Sequence, residues 1–425
     1  MGIPAIAYWT LLVLFWANFL NFMDRQIIAA LVPILRREWA LSDLQLGLLN
    51  TAFGVIYALA PFPIAYLSDR WLRRRVIALA VAVWSGAMAW SSLALSYGML
   101  LLGRAGLGLG QAGYGPSALA WLSDVFPPQY RSRAVGIHDL GVILGAAAGY
   151  GIGGVIGQAL GWRTALGIAA LPGFLLAALI WRMPEPVKGQ SDLADMREQG
   201  VLPPPPVLPP LPTVRALLRI PTLRWTFGTG VLISFATGGM AYWLPSFAVR
   251  LHGFSPGEAG LLVGAITALT GAFGVLAGGF LADWWRQRAP GGRLRTVGLG
   301  FALGFLPALG ALFAPDRLTF ILLAALALFF YTFYFPCMGP IMHQVTIPTM
   351  RASAFGLYLL LVHILGNAPA PAIIGWLSDQ TGSLQAGLLV APLMALVGSA
   401  LAFWGSRHVG EDERRMREQM RGASL

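Results

Sequence analysis

Asn18-Phe19-Leu20-Asn21-Phe22-Met23-Asp24-Arg25-Gln26 is a run of polar and charged groups in the middle of an apolar segment, Tyr8 to Leu35. That segment is long enough to cross a bilayer, since about 20 helical residues span about 30 Å. Asp24 falls near mid-depth, where an acid or an arginine costs roughly 2.5–3.5 kcal/mol on insertion scales and so normally faces a wet cavity or a partner. Neighbouring residues project about 100° apart on a helix, so Asp24 and Arg25 look toward different partners. Either they pair with other buried polar groups and fix helix packing, or they form a proton or substrate site. Asp24 reads as the only carboxylate deep in any span, and it carries the second reading.

The rest of the chain agrees with a membrane solvent. Of 425 residues, 57% are hydrophobic and 11% charged, whereas soluble domains carry about 25% charged residues. Apolar windows place twelve spans, at 8–35, 43–67, 75–96, 98–124, 133–157, 161–183, 222–249, 258–282, 295–314, 317–343, 351–377 and 384–405. All are expected to be helices, because a backbone in lipid must satisfy its own hydrogen bonds. The first is too long for a signal peptide and has no small-residue cleavage site. The single cysteine, Cys337, excludes an internal disulfide and a paired-cysteine metal site.

A net charge of +11 suggests nucleic acid only until its distribution is read. Arg70, Arg73, Arg74, Arg75, Arg131, Arg133, Arg286, Arg288, Arg293 and Arg295 fall on one side of the spans, while Arg36, Arg37, Arg163, Arg250 and Arg317 fall on the other. The positive-inside rule puts both termini in the cytoplasm, with the chain in the cell (inner) membrane, and the basic excess meets anionic lipid headgroups, not nucleic acid.

Two stretches half a chain apart repeat each other. Ala65-Tyr66-Leu67-Ser68-Asp69-Arg70 leads into arginines after span two, and Gly279-Phe280-Leu281-Ala282-Asp283 leads into Arg286 and Arg288 after span eight. An internal duplication follows, giving a six-helix half over 1–183, a proline-rich linker over 184–221, a second six-helix half over 222–405 and a charged tail over 406–425. Pro203 to Pro206 and Pro209-Pro210-Leu211-Pro212 make the linker extended and semi-rigid.

In span four Arg104, Gln111, Tyr114 and Ala118 share one helical face, and its glycines let another helix approach. Pro127 and Pro128 end that span, leaving Asp124 within reach of Arg131 or Arg133 across the turn. Span five presents Gly141, Gly145, Gly149, Gly151, Gly153 and Gly154 as a close-packing surface. In span seven Gly238-Gly239 and Pro245 weaken the helix as a gate would require. Trp243 beside them and His363 in span eleven join the candidates for lining a substrate path, although His363 also reads as a structural histidine.

No catalytic constellation and no cofactor site is present. Gly106-x-Gly108-x-Gly110 lies inside a membrane helix without a preceding strand, so it is not a dinucleotide loop, and no phosphate-binding Gly-Lys-Ser/Thr loop exists to use ATP. The chain reads as a gradient-driven transporter and not as an enzyme.

The Asp69 and Asp283 repeats resemble the loop signature of the major facilitator superfamily, Gly-x-x-x-Asp-Arg-x-Gly-Arg-Arg, with Ala65 and Leu72 in place of the glycines. The resemblance implies the superfamily fold of twelve helices in two halves with inverted repeats, and a cytoplasmic latch of Asp69, Arg70, Arg73 and Asp283, to which Asp124, Arg131 and Arg133 add a second contact. Asn21 to Arg25, the Ala65 to Arg75 loop, Arg104 to Tyr114, Asp124-Val125-Phe126 and Arg131-Ser132-Arg133 together resemble the Spinster branch. That resemblance implies a lysophospholipid or sphingosine-phosphate-like substrate, a proton-coupling role for Asp24 with the position of Gln111, and contacts to the anionic head from Arg25 and Arg104, with Asn21 and Tyr114 beside them. The family residue at Gln111 is glutamate. An amide carries no proton, so Asp24 couples alone, or the chain is a facilitator, or the amide stands in for a protonated glutamate. A symporter of small organic anions and a lipid sensor that moves nothing are the alternatives. The superfamily pattern also implies a monomer.

Overall fold

A computed structural model describes residues 5–61, Ile64, 71–185 and 210–422, and it is helical in nearly all of them. Asp69 and Arg70 of the expected latch, and 186–209 of the proline-rich linker, lie outside the described residues.

Among the described residues, ten helices are long and apolar enough to cross a membrane. The other two of the expected twelve spans take a different form. Span two is described as α2, Asp43–Leu59, of 17 residues. It opens on a full capping box, in which Ser42 Oγ accepts from the Gln45 amide N–H and the Gln45 side chain accepts from the Ser42 N–H. Span four is two abutting helices, α4 (Tyr97–Ala112) and α5 (Tyr114–Val125), meeting at Gly113. The break has a local cause: Pro116 has no N–H to give to the carbonyl of Ala112, and its ring crowds that carbonyl, so the α-helical ladder stops at Ala112.

The remaining helices of the first half are α1 (Ala5–Trp39), α3 (Arg73–Ser92), α6 (Pro128–Leu160) and α7 (Trp162–Arg182). After α8 (Pro210–Arg219) come α9 (Pro221–His252), α10 (Pro256–Arg288), α11 (Gly292–Leu312) and α12 (Arg317–Tyr331). Then follow α13 (Phe335–Val345), α14 (Arg351–Leu361), α15 (Ala370–Thr381), the short α16 (Leu384–Leu388), α17 (Val390–Gly405) and the tail helix α18 (Val409–Gly422). Prolines again mark the irregular joints. A 3-10 turn, Thr332–Tyr334, precedes Pro336, and a π turn, Val362–Asn367, precedes Pro369 and Pro371.

The described chain forms two compact units. The first holds the helices up to α7 together with Leu244–Ala268; the second holds 210–243 and 269–422. In the first, α1 lies along α6, and α3 packs against both α4 and α7. The α1–α6 seam runs on glycines four apart. A Cβ on Gly145 would sit 2.2 Å from the Phe19 carbonyl oxygen, and one on Gly149 would sit 2.4 Å from that of Met23. Backbone meets backbone here, as the small residues of span five led one to expect. The start of α10 closes on α6 in the same way, Gly260 lying against the Tyr150 carbonyl. In the second unit α11 packs between α12 and α17.

Candidate substrate and proton site

The polar side chains of α1 fall at Asn18, Asn21, Asp24 and Arg25, and α4 runs past them antiparallel. The face of α4 and α5 singled out in the sequence meets α1 in a ladder of side-chain to carbonyl contacts. Arg104 Nη1 donates to the Asp24 carbonyl oxygen at 3.5 Å, Gln111 Nε2 to that of Asn21 at 2.8 Å, and the Tyr114 hydroxyl to that of Leu14 at 2.6 Å. Arg104, Gln111 and Tyr114 are all buried, and so are Asn21 and Asp24.

Asp24 and Arg25 do look toward different partners. The Asp24 carboxyl, 1% exposed, is under the charge of Arg104, and its Oδ1 is buried without a hydrogen-bond partner. A buried carboxyl with an unfilled acceptor beside a cation is a group whose protonation answers any movement of that cation. Arg25 points instead to Gln111 Oε1, 3.5 Å from its Nη2, and into a cage of rings: Phe22, Phe53 and Tyr57 have centroids 4.6, 5.0 and 4.4 Å from its guanidinium carbon. Each such contact contributes about 0.5–1 kcal/mol, more when dry. Phe53 serves two cations, because the guanidinium of Arg104 lies 5.2 Å from the same ring. Two cations, one buried acid and one neutral amide thus meet around Phe53 where α1 passes α4.

The other candidates are spread out. Arg73, at the start of α3, forms an ion pair with Asp124 at the end of α5 and donates to the Ala120 carbonyl at 3.1 Å. Across the turn that follows, Arg131 donates its Nε to the Phe126 carbonyl at 3.1 Å, and Arg133 is exposed. Glu185 supports the same corner by accepting the backbone N–H groups of Arg73 and Arg74 at 2.5 and 3.0 Å, an anion at a helix N-terminus.

In the second unit Asp283 is 3.6 Å from Arg293 and largely exposed. Trp243 is fully buried, its indole N–H given to the Pro371 carbonyl at 3.0 Å. His363 lies in the π turn with its Nδ1 2.8 Å from the Leu359 carbonyl oxygen.

Three features escaped the sequence reading. Asp43, 2% exposed, receives both terminal nitrogens of Arg250 at 2.6 and 2.7 Å and the Nε of Arg36 at 3.4 Å. Arg250 is 207 positions away, so no local pattern announces the pair. Glu413 of α18 gathers Arg286, Gln344 and Arg417, so the charged tail docks on protein through this acid. Asp139 is a further carboxylate inside a membrane-crossing helix, α6, toward its start; it follows directly on His138, and a His-Asp pair in an apolar window was the signal available.

Comparison with known proteins settles the class. The profile of the Major Facilitator Superfamily matches residues 14–291. The chain belongs to that superfamily. An MFS-type efflux pump of Mycolicibacterium smegmatis is 30% identical over 91% of the chain and 89% of its own length. Protein spinster of Drosophila melanogaster is 26% identical over 88% of the chain, the match taking in 62% of the longer fly protein. A bacterial homolog of the human lysosomal transporter Spinster, crystallised inward-facing and unoccupied, superposes with a TM-score of 0.84 at 24% identity, over 97% of this chain and 99% of that one. The chain is therefore a major facilitator transporter related to the Spinster proteins, a membrane carrier and not an enzyme.

Proposed function

We propose that the chain is a proton-coupled carrier of an anionic amphiphile, of the lysophospholipid or sphingosine-phosphate kind, working by alternating access with Asp24 as the coupling acid. On this reading it crosses the cell (inner) membrane twelve times as a monomer, with two six-helix halves joined by a cytoplasmic linker and both termini in the cytoplasm. The observation that carries the reading is the buried Asp24 carboxyl beside Arg104, with Arg25 held in its ring of aromatics.

The chemistry follows from competition for Arg104. With Asp24 ionised, the guanidinium is held by the carboxylate. A proton on Asp24 cancels that attraction and leaves Arg104, with Arg25, to bind an anionic head, while apolar walls accept the single chain. Proton and substrate then load in linked fashion, and each changes the affinity for the other by the same factor. The Arg73–Asp124 pair belongs to the proposed cytoplasmic latch.

Competition assays in proteoliposomes test the substrate class. Unlabelled lysophospholipid is expected to suppress uptake of labelled lysophospholipid, and short aromatic or sugar carboxylates are expected to leave it unchanged. Transport of the short carboxylates with no lysophospholipid movement would replace this reading by a small-anion symporter, and binding without accumulation inside the vesicles would make the chain a sensor.

A further inference from the structure

A second ionisable cluster lies in the membrane-crossing part of the first unit, lower on α1 than Asp24. His138 of α6 is 3% exposed, and its ring is held on both edges. Nε2 is 3.0 Å from the Tyr114 hydroxyl oxygen, and the two rings stack with planes 20° apart. Nδ1 is 2.9 Å from Asp139 Oδ1 and 3.4 Å from the Asn18 amide nitrogen, which also donates to the His138 carbonyl at 2.9 Å.

The protons of this cluster can be assigned from its acceptors. A backbone carbonyl only accepts, so the one hydroxyl proton of Tyr114 goes to Leu14, 2.6 Å away. The Tyr114 oxygen then faces Nε2 as an acceptor, and Nε2 carries a hydrogen. A carboxylate also only accepts, so the 2.9 Å contact to Asp139 requires a hydrogen on Nδ1. With both nitrogens protonated the ring is an imidazolium paired with Asp139. When one proton leaves, Tyr114 retains the Nε2 hydrogen, and the bare Nδ1 lone pair is left facing an anion. The second N–H of the Asn18 amide is placed to satisfy that lone pair, and the Asp139 side chain, 58% exposed, has room to turn away.

We propose that His138 and Asp139 form a second proton-binding site, in which a proton on Nδ1 clamps the Asp139 carboxylate against α6 and its loss releases that carboxylate. The ionisable groups around the ring are Tyr114 from α5 and Asp139 from α6; α1 contributes the neutral Asn18 amide and the Leu14 carbonyl. Asp24 lies six residues further along α1 than Asn18, about 9 Å at 1.5 Å per residue. The described ionisable side chains between the two ends of the first unit include Asp24, Arg25, Arg104, His138 and Asp139, while Gln111 carries no proton. As a step in transport the site rests on the proton-coupled reading above; as a place where a proton binds it does not.

The test uses the full-length chain in detergent micelles with its five histidines labelled with ¹⁵N in the ring, and no substrate. His138→Gln identifies the His138 ring signals by their loss. In the parent chain the ring is expected to show both nitrogens protonated in acid, with the Nδ1 proton lost first and the Nε2 proton kept. Asp139→Asn changes an exposed side chain and removes the carboxylate that Nδ1 faces, so it is expected to change the Nδ1 signal while the Nε2 signal, set by Tyr114, stays in place. A His138 ring that carries a single proton at every pH where the protein stays folded, or an Nδ1 signal that Asp139→Asn leaves unchanged, would overturn the proposal. Because the readout needs no lysophospholipid, a failed transport assay leaves it intact, and its failure leaves the Asp24 reading intact.

Discussion

Gln111 donates its side-chain amide to the backbone carbonyl of Asn21 at 2.8 Å while its own oxygen faces Arg25 at 3.5 Å. A protonated glutamic acid reproduces both contacts, its O–H donating to Asn21 and its C=O accepting from Arg25. An ionised one reproduces only the second, and sets an anionic oxygen against the carbonyl. The amide therefore holds this corner in the arrangement that a glutamate adopts only with its proton on.

Gln111→Glu should accordingly introduce a pH dependence that the parent lacks at this position. The variant is expected to be as stable as the parent in acid, where the carboxyl donates to Asn21. It should be less stable in base, where that donor is gone, by about 1–3 kcal/mol. Thermal melts in detergent at a series of pH values check this; parallel pH profiles for the two chains would count against the contact.

Arg25→Ala and Arg104→Ala are each expected to abolish lysophospholipid transport while the protein still purifies as a folded species. Arg25→Lys is expected to recover only a minor part, because a lysine keeps the charge but loses the flat face that packs among Phe22, Phe53 and Tyr57. Uptake rates normalised to folded protein decide the matter, and normal transport by both alanine variants would remove the cations from the site.

The buried Asp43–Arg250 pair joins the start of α2 to the last turn of α9 within the first unit. Arg250→Ala takes both close guanidinium contacts from a 2%-exposed carboxylate and should cost about 3 kcal/mol. Asp43→Asn should cost less, since it removes the charge that needs a partner. Comparing the two melting temperatures tests the asymmetry.

Glu413 supplies a pH response outside the membrane. Partial burial pushes its carboxyl up, but the Gln344 amide and the Arg417 and Arg286 guanidiniums outweigh that and hold it below the usual carboxylate range. A folded-state value below the unfolded one means that the docking contribution is complete above the ordinary carboxylate range and disappears as the pH falls through the lowered folded value. Hydrogen exchange of the α18 amides should therefore accelerate in acid, and Glu413→Gln should exchange fast at every pH. Protection of α18 that is insensitive to both changes would show that the tail is held by other contacts.

Much of this was legible in the sequence because membrane burial makes polar residues expensive and therefore informative. Asn21, Asp24, Arg25, Arg104 and Gln111 stood out as polar groups in apolar windows, and the fold joins them. The glycines of span five predicted a close seam, and α1 fills it. What the sequence did not carry was partnership across distance: nothing local links Asp43 to Arg250 or Arg73 to Asp124, since each pair is made by helix packing. The break at Gly113 was readable from Pro116, but the apolar window ran through it. His138 and Asp139 were overlooked because the glycines around them dominate the reading of span five.

The most direct measurement is uptake of a labelled lysophospholipid into proteoliposomes with and without an imposed pH gradient, comparing the parent chain with Asp24→Asn. Gradient-driven accumulation by the parent, lost in Asp24→Asn while gradient-free exchange persists, is the expected result. Equal gradient-driven accumulation by both proteins would contradict the assignment of Asp24 as the coupling acid.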